Sequence, residues 1–93
     1  MIYFAHCVKD YDTEIEQRAV EALSQFDSVE NPNQEHHQKN YNVKRMKYFL
    51  EDVIPACTQL AYLPIEGNRI TCGVVAEIKK AISTGMLVYR IDR

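Results

Sequence analysis

The stretch Ile2-Tyr3-Phe4-Ala5-His6-Cys7-Val8 decides the fold, because it is a continuous run of mainly apolar, strand-forming residues. Such runs are typical of strands buried on both faces, as in parallel sheets. Comparable apolar runs follow at residues 60–63 and 86–91, and residues 28–30 fit a short strand. The sequence therefore predicts four strands.

Three stretches between these strands carry apolar residues at helical spacing and predict helices over residues 14–26, 43–54 and about 71–84. Thr13 and Glu16 fit a capping box at the start of the first helix. Residues 34–42 are polar and indicate a loop.

Strands that alternate with helices imply a parallel sheet with right-handed crossovers. The predicted fold class is therefore α/β, a minimal three-layer sandwich of the Rossmann or flavodoxin type. Its four strands and three helices form a single domain over residues 1–93.

The composition excludes several classes of protein. Hydrophobic residues make up 46% and charged residues 26% of the 93 residues, as in ordinary globular domains rather than disordered or membrane chains. A net charge of -2 argues against a general nucleic-acid binder. A domain of this size buries only about 60–65% of its unfolded surface, so we expect support from a second copy of the chain.

The cysteines and histidines predict neither a disulfide framework nor a metal site. Cys7, Cys57 and Cys72 are odd in number and widely spaced. His36 and His37 lie in the polar stretch without further ligands at workable spacing. We therefore expect no metal and no cofactor. The N-terminus lacks the basic region and cleavage site of a signal peptide, which favours a cytoplasmic location.

Ligands of open parallel sheets bind beyond the carboxyl ends of the strands. This rule places the site at His6 and Cys7 after the first strand, with residues 31–33 after the second and 64–69 after the third. The first turns of the first and third helices belong to the same edge.

The stretch Thr71-Cys72-Gly73-Val74-Val75-Ala76-Glu77 is the most informative candidate for chemistry. Thr71 can cap the third helix, and Gly73 lets a ligand approach amides that favour anionic or polar oxygens. Glu77 flanks the apolar stripe one turn further on. A simpler interpretation fits the same residues: Thr71 is a plain helix cap, and Glu77 is a surface carboxylate. In the same way, His6 fits a structural role and Tyr3 fits a core position.

The chain resembles the nucleoside 2-deoxyribosyltransferase-like superfamily, which includes the deoxynucleoside 5'-monophosphate N-glycosidases. The resemblance covers nearly the whole chain. It comprises the Ile-Tyr-Phe-Ala start, an Asn-Pro turn, a strand ending in Leu-Pro, the motif Thr71-x-Gly73-x-x-x-Glu77 and the final Val88-Tyr89.

The resemblance implies a residue for each step of N-glycosidic bond cleavage. Glu77 would be the nucleophile that forms a glycosyl-enzyme, in accord with retaining glycoside chemistry. Thr71 and Gly73 would hold a sugar hydroxyl or 5'-phosphate, and Tyr3 would form the sugar-binding wall. The aspartates typical of the family fall on Leu50 and Thr58 here, so Asp52 is the candidate acid if the helix register shifts.

His6 stands where the family has a glycine, and we include His6 and Asn31 among the substrate-binding candidates. The implied partners are a small nucleoside or nucleotide and a second copy of the chain, with neither nucleic acid nor membrane. Tyr41, Tyr48 and Phe49 are the candidates for the subunit contact. Two alternatives stay open: a nucleotide-binding module without catalysis, and a structural subunit that uses the second helix as its partner surface.

Overall fold

The computed structural model describes residues 1–93 and contains one parallel sheet of four strands. The strands are β1 (Ile2–His6), β2 (Val29–Glu30), β3 (Gln59–Leu63) and β4 (Leu87–Arg90). Their order is β2-β1-β3-β4, and every neighbouring pair is parallel. All five residues of β1 are buried, as the apolar run predicts.

Helices cover both faces of the sheet and confirm the three-layer α/β sandwich. The α-helices are α1 (Glu14–Ser24), α2 (Glu35–Lys44) and α3 (Cys72–Ser83), and a π-helical segment covers Tyr48–Val53. Short 3-10 turns lie at Val8–Asp10, Ile54–Ala56 and Glu66–Asn68. No helix has both the length and the apolar character needed to cross a membrane.

Alternate residues of β1 supply the two halves of the core. Tyr3 and Ala5 pack with the π-helical segment and α3, whereas Ile2 and Phe4 pack with Leu23 of α1. The side chains of a strand point alternately to opposite faces, which explains this division. The β-strand at the centre of the sheet is thereby fixed from both sides.

The middle of the chain differs from the sequence prediction. The polar residues 34–42 were predicted as loop but form most of α2, and the predicted helix at 43–54 is interrupted at Arg45, whose φ is +59°. His37 and Tyr41, four residues apart, pack their rings against Phe49 and give α2 its inner face. Apolar spacing missed this face because both residues are polar aromatic. Val43, whose spacing predicts a place on the apolar face of the second helix, is 82% exposed.

Candidate functional site

A cavity of about 260 Å³ opens at the carboxyl end of β1 and the start of α3. Strand order reverses at β1, because β2 lies on one side of it and β3 on the other. Such a switch point is where open α/β sheets bind ligands. Four predicted site residues line the cavity: His6, Thr71, Gly73 and Glu77.

Glu77 is a buried carboxyl group on the inner side of α3, not the surface carboxylate of the simpler interpretation. The Tyr3 hydroxyl donates a hydrogen bond to its Oε2. The other oxygen, Oε1, has no hydrogen-bond partner. Every fully buried side-chain oxygen in the structure has a partner, so Oε1 is not fully buried. Because Glu77 lines the cavity, we infer that Oε1 is open to it. Burial raises the pKa of Glu77 to about 7, although the hydrogen bond from Tyr3 acts in the opposite direction.

Tyr3 supports Glu77 from the sheet and does not line the cavity, so its predicted place on the sugar-binding wall is wrong. It is fully buried in the centre of β1. Burial and the neighbouring Glu77 raise the pKa of the Tyr3 phenol well above its ordinary value. The hydroxyl therefore stays protonated and continues to donate to the carboxyl group, which makes Tyr3 a positioning residue.

The ring of His6 is held in one orientation at the edge of the cavity. Nδ1 lies 3.0 Å from the Phe4 carbonyl oxygen, to which it donates, and Nε2 lies 2.6 Å from Oε2 of Glu16. The ring also stacks on Phe4, with 3.9 Å between centroids. Both ring nitrogens are thus engaged within the protein, and the side chain of His6 has no exposed surface, so His6 supports the cavity from behind.

Glu16 explains why only half of the predicted capping box forms. Its backbone amide donates to Oγ1 of Thr13 at 3.2 Å, as expected for the cap. Its carboxylate does not return to the amide of Thr13, but accepts bonds from the Asp12 amide and the Asn33 carboxamide at 3.0 and 2.9 Å. The same carboxylate meets His6 and so links the start of α1 to the end of β1.

The start of α3 is open toward the cavity. Thr71 stands at the N-cap position, yet its side chain accepts no hydrogen bond from the helix. The simpler interpretation of Thr71 as a plain cap is therefore not what the structure shows. A side chain placed at Gly73 would meet no atom within 4 Å, so space lies beside the first amides of the helix. These amides favour negative or polar oxygens.

Besides Tyr3, two further predicted site residues do not line the cavity. Asp52 is exposed and pairs with Lys44, with 2.9 Å between Oδ2 and Nζ. It belongs to the π-helical segment, and its carboxylate is engaged by Lys44 outside the cavity. The carboxamide of Asn31 accepts a bond from the Asn33 amide at 2.9 Å and closes the turn, while its neighbour Pro32 lines the cavity.

Other predictions of location also need correction. Residues 64–69 line a separate depression near the C-terminus and not the cavity. Tyr48 and Phe49, candidates for a subunit contact, are buried in the core beneath α2. Tyr41 is half-buried at the cavity wall. The π-helical segment carries both of these aromatic rings inward, into the core.

Sequence reasoning missed Tyr11, which lines the cavity opposite α3. Burial, followed by the nearby carboxyl groups of Glu77 and Glu16, raises the pKa of the Tyr11 phenol above its ordinary value. The hydroxyl therefore keeps its proton over the physiological range. An aromatic residue between Asp10 and Asp12, directly after the central strand, was the available signal.

Fold and site together define a class: an α/β domain with strand order 2-1-3-4 and one buried carboxyl group in its switch-point cavity. Comparison of the chain with models of known families, with curated proteins and with solved structures finds no match.

Proposed function

We propose that the chain is an N-glycosidase or deoxyribosyltransferase-like enzyme that cleaves the N-glycosidic bond of a nucleoside or nucleotide. The observation that carries this proposal is Glu77, a buried carboxyl group with one oxygen held by Tyr3 and the other open to the cavity. Its pKa of about 7 makes both protonation states accessible near neutral pH. Perturbed carboxyl groups in clefts are characteristic of active sites.

The reaction would proceed through a covalent intermediate on Glu77. Its ionised Oε1 attacks the anomeric carbon while the bond from that carbon to the base nitrogen breaks, and the base leaves with the electron pair. Water, or a second base in a transfer reaction, then attacks the same carbon while the bond from that carbon to Oε1 breaks. The proton that this nucleophile loses returns to the group that protonated the departing base. Tyr3 restricts the carboxylate to one orientation throughout.

The departing base needs a proton, and Tyr11 is the candidate donor in place of Asp52. Glu77 is the only carboxylic acid among the residues that line the cavity. Tyr11 lines the same cavity and retains its proton because its phenol pKa is raised. The Tyr11 hydroxyl and the Glu77 carboxyl group therefore belong to the same cavity.

The cavity supports a small substrate. Its volume of about 260 Å³ lies just below the range of roughly 300–1,000 Å³ that is usual for ligand pockets. No lysine or arginine lines it. A sugar hydroxyl or phosphate would therefore depend on Thr71 and the amides beside Gly73.

The predicted homodimer and cytoplasmic location belong to the same proposal. Val8 lies at the cavity and is 72% exposed, and an apolar rim of this kind would suit contact with a second copy. The cysteines Cys7, Cys57 and Cys72 are all free thiols, which accords with a reducing compartment.

The enzyme proposal is tested by incubating the protein with a panel of deoxynucleosides and their monophosphates and measuring the release of free base. Glu77→Gln should reduce the rate at least about a hundredfold, because the amide cannot act as the nucleophile. Asp52→Asn is the matched control and should retain full activity, since its carboxylate lies outside the cavity. No release by the wild type, or equal release by Glu77→Gln, would refute the proposal.

A nucleotide-binding module without catalysis is the second candidate, favoured by the single carboxyl group in the cavity. It predicts that a nucleoside or nucleotide raises the melting temperature of the wild type without any base being released. Release of base by the wild type would exclude it.

A further inference from the structure

Three metal-ligating side chains meet at the connection between β2 and α2. Glu30 ends β2, and His36 and His37 lie in the first turn of α2. One ligand atom from each residue lies within 4.8 Å of the others. Adjacent residues of an α-helix normally diverge by about 100°. Here the two imidazole rings instead approach to 4.0 Å between centroids.

His37 is oriented as metal-binding histidines usually are. Its ring is buried, with Nδ1 2.5 Å from the Tyr48 hydroxyl and Nε2 in contact with a carboxylate oxygen of Glu30. A histidine that binds a metal through one nitrogen almost always donates its other N–H to a neighbouring oxygen, which fixes the tautomer. Tyr48 can accept that bond and leave the Nε2 lone pair directed at Glu30.

We propose that Glu30, His36 and His37 bind one divalent transition-metal ion of the Zn²⁺ type. Two imidazoles and one carboxylate suit Zn²⁺, whereas Mg²⁺ and Ca²⁺ take oxygen ligands. Water completes a four-coordinate site. The Glu30 carboxylate offsets half of the ionic charge.

Entry of the ion requires only a small local movement. Bonds of about 2.0–2.1 Å to a tetrahedral Zn²⁺ separate neighbouring ligand atoms by about 3.3 Å. Glu30 and His37 are closer than this and must move apart. His36 is exposed in the first turn of α2 and can swing toward the ion. The buried member of the set, His37, stays anchored on Tyr48.

The ion would hold one wall of the cavity in place. The chain between its ligands includes Pro32, and Gln38 follows directly after His37. Both Pro32 and Gln38 line the cavity, and the Gln38 carboxamide donates to the Pro32 carbonyl at 2.8 Å. A bound metal therefore ties this wall to β2, whether or not the cavity performs glycosidic chemistry.

The test is titration of the chelator-treated full chain with Co²⁺ and Zn²⁺. We expect 1:1 binding of both ions by calorimetry, visible absorption bands of four-coordinate Co²⁺, and a rise in melting temperature with Zn²⁺. His36→Gln should weaken binding at least about tenfold, since it removes a ligand from an exposed position. Circular dichroism confirms that this variant is folded.

Glu35→Gln is the matched control, because Glu35 is an exposed carboxylate next to His36 that pairs with Lys39 and lies outside the cluster. It should bind as the wild type does. The proposal is wrong if the wild type shows no saturable binding, or if His36→Gln binds with unchanged affinity. It is also wrong if bound Co²⁺ shows intense near-ultraviolet absorption, which would assign the ion to cysteine thiolates.

Discussion

Replacement of Glu77 by Gln should stabilise the protein increasingly as the pH rises. The carboxyl group of Glu77 has a pKa of about 7 in the folded chain against an ordinary 4.5, and burial is the main cause. The folded state therefore binds this proton more tightly than the unfolded state. The resulting stability is present below about pH 4.5 and is lost as the pH rises through 7.

The magnitude follows from the two pKa values of Glu77. Each tenfold difference in proton affinity between folded and unfolded states is worth about 1.4 kcal/mol, so full ionisation costs the fold about 3 kcal/mol. Most of this cost, about 2–3 kcal/mol, develops between pH 5 and pH 8. Glutamine has nearly the shape of the protonated acid and still accepts the hydrogen bond from Tyr3, but it cannot ionise.

This pH-dependent difference in stability can be measured by urea unfolding. The wild type and Glu77→Gln are compared at several pH values between 5 and 8. The stability of the variant relative to the wild type should grow by about 2–3 kcal/mol across the range, a displacement of roughly 1–2 M in the urea midpoint. Glu21→Gln, an exposed change on α1, is the control and should leave the difference near zero. A relative stability that does not change with pH would refute the burial argument for Glu77.

If Glu77 is the nucleophile, the rate of base release should rise with pH through about 7 as the carboxyl group ionises, and a fall over the same range would contradict that role. Tyr3→Phe removes the hydrogen bond that lowers the pKa of Glu77, so the same rise should move to higher pH; an unmoved profile would assign Tyr3 to packing alone. Arg45→Gly should raise the free energy of unfolding by about 1 kcal/mol, because Arg45 adopts a φ of +59° that suits glycine, and a loss of stability in urea would contradict this. Phe49→Ala should cost about 3–5 kcal/mol in the same assay, whereas Phe26→Ala, at a side chain 83% exposed, should cost less than about 1 kcal/mol; similar losses would place Phe26 in an interface.

The parts of the fold that the sequence predicts correctly are those in which apolar spacing is the dominant signal. The first strand is buried on both faces, and α3 begins within one residue of the predicted start. Sequence spacing fails at α2, because His37 and Tyr41 form its inner face and neither counts as apolar in a periodicity argument. The positive φ of Arg45, combined with a ψ of −147°, has no sequence signal, since glycine normally occupies this conformation.

The candidate site was predictable to the extent that topology determines it. The rule that ligands bind beyond the carboxyl ends of parallel strands led directly to His6 and Thr71, and the motif that begins at Thr71 led on to Glu77. It could not identify Tyr11, whose inward direction depends on the short turn after β1. It could not reject Asp52 either, because the sequence predicts an ordinary α-helix where the structure has a π-helical segment, and the pairing of Asp52 with Lys44 has no sequence signal.

The strongest argument that this edge of the sheet is a functional site comes from the small size of the core. Only 22 of the 93 residues are buried, yet five of these carry a carboxyl or imidazole group: His6, Asp10, Glu16, His37 and Glu77. All five follow the carboxyl ends of strands, at the end of β1 or in the segments and helices that come after a strand. Apolar residues of similar volume would stabilise so thin a core at least as well, because buried charged groups carry a large desolvation cost. A small domain has little stability to spare, and this one concentrates the desolvation cost at one edge of the sheet. Chemistry at that edge explains the cost better than folding does. The predicted gain in stability of Glu77→Gln measures part of the cost directly.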